Sequence, residues 1–318
     1  MFTPREILYT AGVPFAVTLA VLLAAWRPWR RRDRAPARGW WASPAGVGLG
    51  FLLALALLDS RVPAWPPGES RHALFYFVAA VSILGVIEAM LHVWRPGAGW
   101  LRAEAALLVF AAGLFLLFQS MLKNDAWTPL EAAKRLLGMT VLVHAAWASS
   151  EVLVLRLPRP AGPLVLAVFA GCVALVVLLS GSMVYGRLAG ALSVAALAAA
   201  AVALAAPRFS LARGGVTVLV PAAVAVLLLG CQYVDPGVTG RNAALLLASL
   251  ALPWAATVRP LRRRRPWVRT MIALVLAALP AGTAVLLAQR TFARVEQENA
   301  PSADPASYSI HAAPTGPR

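Results

Sequence analysis

Residues 131–155 read EAAKRLLGMTVLVHAAWASSEVLVL, and the fold follows from how that stretch must be solvated. It has the length and apolarity of a membrane-spanning helix, yet it carries His144 near its centre and Glu151 little more than a turn from its end. At about 100° per residue Thr140, His144, Trp147 and Glu151 share one face, so the polar groups form a stripe. An ionisable side chain turned to hydrocarbon costs about 2.5–3.5 kcal/mol even on the lenient insertion scales. The stripe must therefore face protein or water, either as hydrogen-bonded packing against neighbouring helices or as part of a conduction path.

The rest of the chain supports the same solvent. Apolar residues make up 60% and charged residues 13%, proportions that exclude an ordinary soluble domain. A net charge of +16 raises the question of nucleic acid, but the arginines stand in short clusters between apolar runs. There they set topology and meet anionic lipid head groups, and no nucleic-acid partner is expected. Cys172 and Cys231 lie in separate apolar runs without metal-ligand spacing and read as small buried hydrophobes. Near the amino terminus the arginines follow the apolar segment instead of preceding it, so the segment reads as a retained span and not as a cleaved signal.

Ten apolar segments can be placed, at about 9–26, 41–59, 73–93, 103–121, 136–155, 162–181, 188–206, 215–232, 242–258 and 270–289. The expectation is an all-α, polytopic transmembrane helix bundle of about ten spans. With the amino terminus outside, the odd-numbered loops are cytoplasmic and hold eighteen of the 29 basic residues against the single acid Asp33. That alternation follows the positive-inside rule and puts both termini on the external face. Lys123, Lys134 and Arg135 dissent, partly offset by Asp125 and Glu131. The Ala, Arg and Pro bias suits a multi-pass protein of a bacterial inner membrane. The chain reads as one transmembrane domain over 1–295, with a division near Pro160 into halves 1–160 and 161–295, followed by a flexible external tail over 296–318. The loop DSRVPAWPPGESRH, 59–72, reads as an irregular external cap. Trp26, Trp29, Trp40, Trp41, Trp65, Trp94, Trp100, Trp127, Trp254 and Trp267 fall near span ends and read as interface anchors. The spacing of Gly186 and Gly190 suits a close helix contact.

Glu88 is the natural companion of the stripe. It and Glu151 both fall about 8 Å to the cytoplasmic side of the midplane, with His92 one turn beyond Glu88 and His144 near the midplane. The expected buried polar cluster is thus Glu88, His92, Thr140, His144 and Glu151. A structural hydrogen-bonded cluster is one way to satisfy the two carboxylates, ion pairing with Arg156 or Arg159 reaching in from the next loop is another, and Glu104 is expected at the interface. Two carboxylates in one dry site repel, and a nearby histidine is then placed to take a proton, which is what a proton relay requires. No cofactor is expected. His92 and His144 lie at different depths and make a poor haem pair, and His144, Glu88 and Glu151 match no metal-ligand spacing. Phosphate loops, nucleotide fingerprints, serine-nucleophile motifs and CxxC pairs are absent.

In size and span count the chain is similar to the drug/metabolite transporter superfamily, whose members resemble a five-plus-five pair of repeats. The internal termini usual there conflict with the charge pattern here, and none of that superfamily's residues is carried over. The leading functional expectation is a small-solute or proton-coupled carrier. A non-catalytic subunit or assembly scaffold of a larger membrane complex, with protein partners in the membrane, comes second. An intramembrane lipid-modifying enzyme, for which Lys123, Asn124, Asp125, Glu131, Lys134 and Arg135 offer an anion-binding rim, comes third. A solvent-accessible cavity reaching Glu88 and His144 favours the carrier, and a sealed interior favours the subunit.

Overall fold

The computed structural model describes residues 3–26, 40–94, 99–206, 209–234 and 237–298, without the side chains of residues 92–94 and 262. Among them every regular element is helical. The ten longer helices among the described residues are α1 (Pro4–Trp26), α2 (Ala42–Leu58), α3 (Ser70–Trp94), α4 (Gly99–Lys123), α5 (Pro129–Arg156), α6 (Ala161–Leu179), α7 (Met183–Ala205), α8 (Gly215–Tyr233), α9 (Gly240–Ala251) and α10 (Pro266–Glu298). Each overlaps one of the ten expected apolar segments, although α9 ends at Ala251, short of the expected 258. Eight of them, all but α2 and α9, are long and apolar enough to cross a membrane. The chain is an all-α integral membrane protein that spans the bilayer several times.

Local sequence explains the helix ends. Thr3 and Thr128 each form a capping box, with Glu6 and Glu131 respectively, and Pro4 and Pro129 open the first turns where no amide donor is needed. Ser182 and Thr239 cap α7 and α9 in the same way with single side-chain bonds. Pro253 lacks the amide that would continue α9, and the chain tightens there into a 3₁₀ segment, Leu252–Thr257. A short helix, Arg259–Arg262, follows before α10. At the other end of the chain, α10 continues as helix through Glu298; residues 299–318, which make up most of the expected tail, lie outside the described residues, as do the 27–39 cluster, Arg95 and Arg208.

The helices are arranged around α8. Every residue from Gly215 to Gly230 is buried, as an all-round apolar helix must be when it forms the axis of a bundle. Helices α2, α3, α5, α6 and α7 pack on it. Outside them, α1 lies on α2 and α7, α4 on α3 and α5, and α10 on α6 and α9. Successive helices run in alternate directions, so the loops gather at two ends. One end joins Ser43 to the Ser210 carbonyl (3.3 Å), Trp26 to Phe209 (5.5 Å, edge-on) and Arg269 to the Arg156 carbonyl (2.7 Å); we call it the basic face. The opposite end joins Ser70 to Tyr185 (2.5 Å), Ser120 to Tyr233 (2.5 Å) and Arg187 to Glu6 (2.8 Å).

At the basic face the segment before α8 folds inward, burying Phe209, Leu211 and Ala212. It ends at Gly214, whose φ of +90° suits glycine, and there backbone meets backbone. A Cβ on Gly214 would lie 2.4 Å from the Gly85 carbonyl oxygen, and one on Gly85 would lie 2.7 Å from that of Gly214. At the opposite face the 59–69 loop is irregular, as expected, and is held by Tyr76 donating to the Pro63 carbonyl (2.7 Å) and Arg71 bridging Asp59 and Glu69.

Two details differ from the sequence reading. Gly186 packs closely on Leu178 and Ala174, but a Cβ on Gly190 would meet nothing within 4 Å, so only the first glycine of that pair makes a close contact. Trp127 is buried instead of lying in the head-group belt, stacked on Phe118 at 5.8 Å, because the α4–α5 turn folds it back over the bundle end.

Candidate functional site

Glu88, late in α3, is 3% exposed. Arg102, in the first turn of α4, places Nη2 at 2.7 and 2.6 Å from the two carboxylate oxygens of Glu151 in α5. Its Nε lies 3.8 Å from Glu88 Oε1, beyond hydrogen-bonding distance, and neither of those atoms has a hydrogen-bond partner. The other Glu88 oxygen, Oε2, receives the hydroxyl proton of Thr217 at 2.5 Å. Thr217 accepts in turn from Trp147 Nε1 at 3.0 Å. An indole nitrogen only donates, so the Thr217 hydroxyl is left to donate toward Glu88. Two carboxylates thus share one guanidinium unequally, and four helices, α3, α4, α5 and α8, meet at the arrangement.

The Gly85–Gly214 contact sets this register. Glu88 follows Gly85 by one turn and Thr217 follows Gly214 by the same interval, so a backbone contact between the two glycines brings the polar side chains opposite each other. Arg213, next to Gly214, lies over the Trp40 ring at 3.8 Å, where the Glu151 carboxylate attracts it and Arg102 repels it.

The expected cluster divides. Glu88 and Glu151 come together through Arg102, and the expected partners are elsewhere: Arg156 lies over the Trp254 ring at 5.1 Å, and Arg159 lines a cleft with Phe209 and Ser210. The reason is reach. Arg102 already points from α4 toward the α3–α5 groove, whereas Arg156 lies at the far end of α5, turned toward the 3₁₀ segment. His144 packs against Trp147 (5.1 Å) and Phe110 (6.2 Å), its Nδ1 has no hydrogen-bond partner, and no hydrogen bond links it to either carboxylate. Thr140 donates to the Leu136 carbonyl of its own helix at 2.7 Å. Glu104 is exposed, and the His92 side chain lies outside the described residues. Of the external charged set, Arg135 lies over Trp127 at 5.1 Å and reaches Gln232 at 3.5 Å, while Lys123, Asn124 and Asp125 are exposed without converging on a cleft.

Arg102 and Thr217 are the members that the sequence reading did not place. Arg102 carried a signal, being a lone cation at the start of a span whose depth matches both glutamates. Thr217 carried little, since one threonine in an apolar run is unremarkable without knowing that the run is central.

Chemically the arrangement is a tie. Removing one partner from a buried ion pair costs about 3–5 kcal/mol, because the remaining charge is left uncompensated. Clefts of about 120, 220 and 180 Å³ open at the bundle ends and flank, and none is lined by Glu88, Arg102, His144 or Glu151. Among the described residues no three His, Cys, Asp or Glu side chains converge as a metal site would require. Comparison with family models, with curated proteins and with solved structures finds no match to this chain.

Proposed function

We propose that this protein is a non-catalytic integral membrane subunit or assembly scaffold that acts through partners in the bilayer. The observation that carries the reading is the filled axis. A carrier must open a polar route past its midplane, and here the axis is α8, whose only polar side chain between Gly215 and Gly230 is Thr217. On this reading the Glu88–Arg102–Glu151 tie fixes the relative positions of α3, α4, α5 and α8, and the outer helices present a stable surface. The arginine-bearing face is proposed to be cytoplasmic in a bacterial inner membrane, with both termini external.

In-membrane cross-linking followed by mild extraction tests the function. A constant set of partners in fixed proportion is expected, and a chain that migrates alone from its own membrane would refute it. Single cysteines at Asn124 and Arg264 test the orientation, since they should react from opposite sides; reaction from one side removes the topology.

One observation favours the carrier as a second reading: two buried carboxylates compete for one guanidinium, an arrangement with two ways of pairing. That reading requires pH-gradient-driven uptake in proteoliposomes that both Glu88→Gln and Glu151→Gln diminish. Undiminished uptake in both variants rules it out.

A further inference from the structure

We infer that the corner where α5, the Leu252–Thr257 segment and α10 meet is a binding site for an anionic phospholipid of the leaflet at the basic face. Arg156, at the end of α5, lies over Trp254 at 5.1 Å, and Arg269, in the first turn of α10, donates Nη2 to the Arg156 carbonyl at 2.7 Å. The two contacts join the three elements and hold two guanidinium-bearing residues together. Arg263, Arg264 and Arg265 lie exposed on the adjoining turn.

No arginine of this corner forms an ion pair with a carboxylate among the described residues. Glu88 and Glu151 are taken by Arg102, and Glu104 is on α4, which packs on α3 and α5, away from α10. Arg269 Nε is buried and has no hydrogen-bond partner. Cations gathered this closely repel one another unless an anion lies among them, and a phosphodiester suits the planar fork of arginine.

The surface next to the arginines selects a lipid over a free anion. Along α10, Trp267, Met271, Val275 and Leu279 recur every fourth residue and are 62%, 53%, 54% and 63% exposed. They form an apolar ridge that starts two residues after Arg265, on the face of α10 turned away from Arg269, and extends about 18 Å, close to the depth of one leaflet. A head group held by the exposed Arg263, Arg264 and Arg265 therefore has its acyl chains laid along that ridge, with Trp267 at the interface and Arg156 and Arg269 adding positive charge from behind the turn.

Native mass spectrometry of the full chain, with phosphatidylglycerol and phosphatidylcholine of identical acyl chains in competition, tests the site. Phosphatidylglycerol should be retained preferentially, and the Arg264→Gln/Arg265→Gln variant should lose about tenfold of that preference. Because removing arginines can disturb insertion, the Arg264→Lys/Arg265→Lys variant provides a second measurement: it keeps the charge but loses the fork, and should fall between the other two. Arg290→Gln/Arg294→Gln, at the other end of the same helix, should leave the preference unchanged. Equal retention of the two lipids, an undiminished preference in the Gln variant, or loss of preference in the Arg290/Arg294 control would each overturn the site. Displacement of the lipid by inorganic phosphate alone would show an anion site without lipid selectivity, and would overturn it as well.

Discussion

The two sides of the bundle are held together by different means. On one side α3, α4 and α5 meet α8 through an ion pair, a hydroxyl and an indole, with Phe110 edge-on to Trp147 at 5.8 Å. On the other, α6, α7 and α10 approach through small residues: Ala189, Ala195, Ala196 and Ala199 of α7 are fully buried, as are Ala273, Ala277, Ala281 and Ala284 of α10. Lipid is as apolar as leucine, so burial of apolar surface does not drive helices together in a membrane. Close packing and interhelical hydrogen bonds remain: side-chain polar contacts lead on the first side, and close packing leads on the second, where Ser193 of α7 also donates to the Ala167 carbonyl of α6 at 2.8 Å. The polar side should therefore depend on particular partners, and the alanine side on volume.

Arg102→Ala puts that contrast to its strongest test. It removes the guanidinium that Glu88 and Glu151 share and should destabilise the bundle by about 3–5 kcal/mol in reversible unfolding from bicelles. A loss below 1 kcal/mol would mean that the polar side does not depend on its ion pair. Gly85→Ala and Ala196→Leu make the comparison sharper. The first drives a Cβ into the Gly214 carbonyl and Pro44, and the second adds volume at a site with no exposure, so each should cost about 1–3 kcal/mol by the same measurement. Trp147→Phe retains the ring but leaves Thr217 without its donor, for about 0.5–1.5 kcal/mol. Gly190→Ala, where added volume meets open space, should change stability by less than about 0.5 kcal/mol, in the stabilising direction that helix propensity favours. A large loss there would show that the alanine side is tighter than its contacts indicate.

The polar side was only partly legible in the sequence, and the alanine side hardly at all. Glu88 and Glu151 stood out because a charge inside an apolar run has few explanations. Their depths along two helices could be counted, and a shared partner followed. Which arginine was less legible, because reach was judged from Arg156 and Arg159 in the following loop, whereas Arg102 approaches from a helix whose neighbours no periodicity specifies. His144 was drawn into the same cluster by its place on the stripe. Four residues of one face need not contact the same neighbour, and here the stripe crosses from an aromatic contact at His144 to the ion pair at Glu151. The helices themselves were largely legible, because a long apolar run within a bilayer satisfies its backbone as a helix, though α9 gives way to a 3₁₀ segment at Leu252. That α8 would be the axis was not, since α6, α7 and α8 are all built chiefly of alanine, valine and leucine, and no periodicity marks which of them lies at the centre.

The length of α10 has a consequence for the membrane itself. Its 33 residues extend about 50 Å, well beyond the roughly 30 Å of a hydrocarbon core. Arg269 near its start and Arg290 near its end are about 31 Å apart along the axis. With a guanidinium anchored in each interface, the helix cannot slide along its axis without drawing one of them into oil. It acts as a gauge: a bilayer thinner or thicker than that interval must deform around it, or the helix must tilt and loosen its alanine contacts. A difference between membrane thickness and that interval would therefore fall first on this helix.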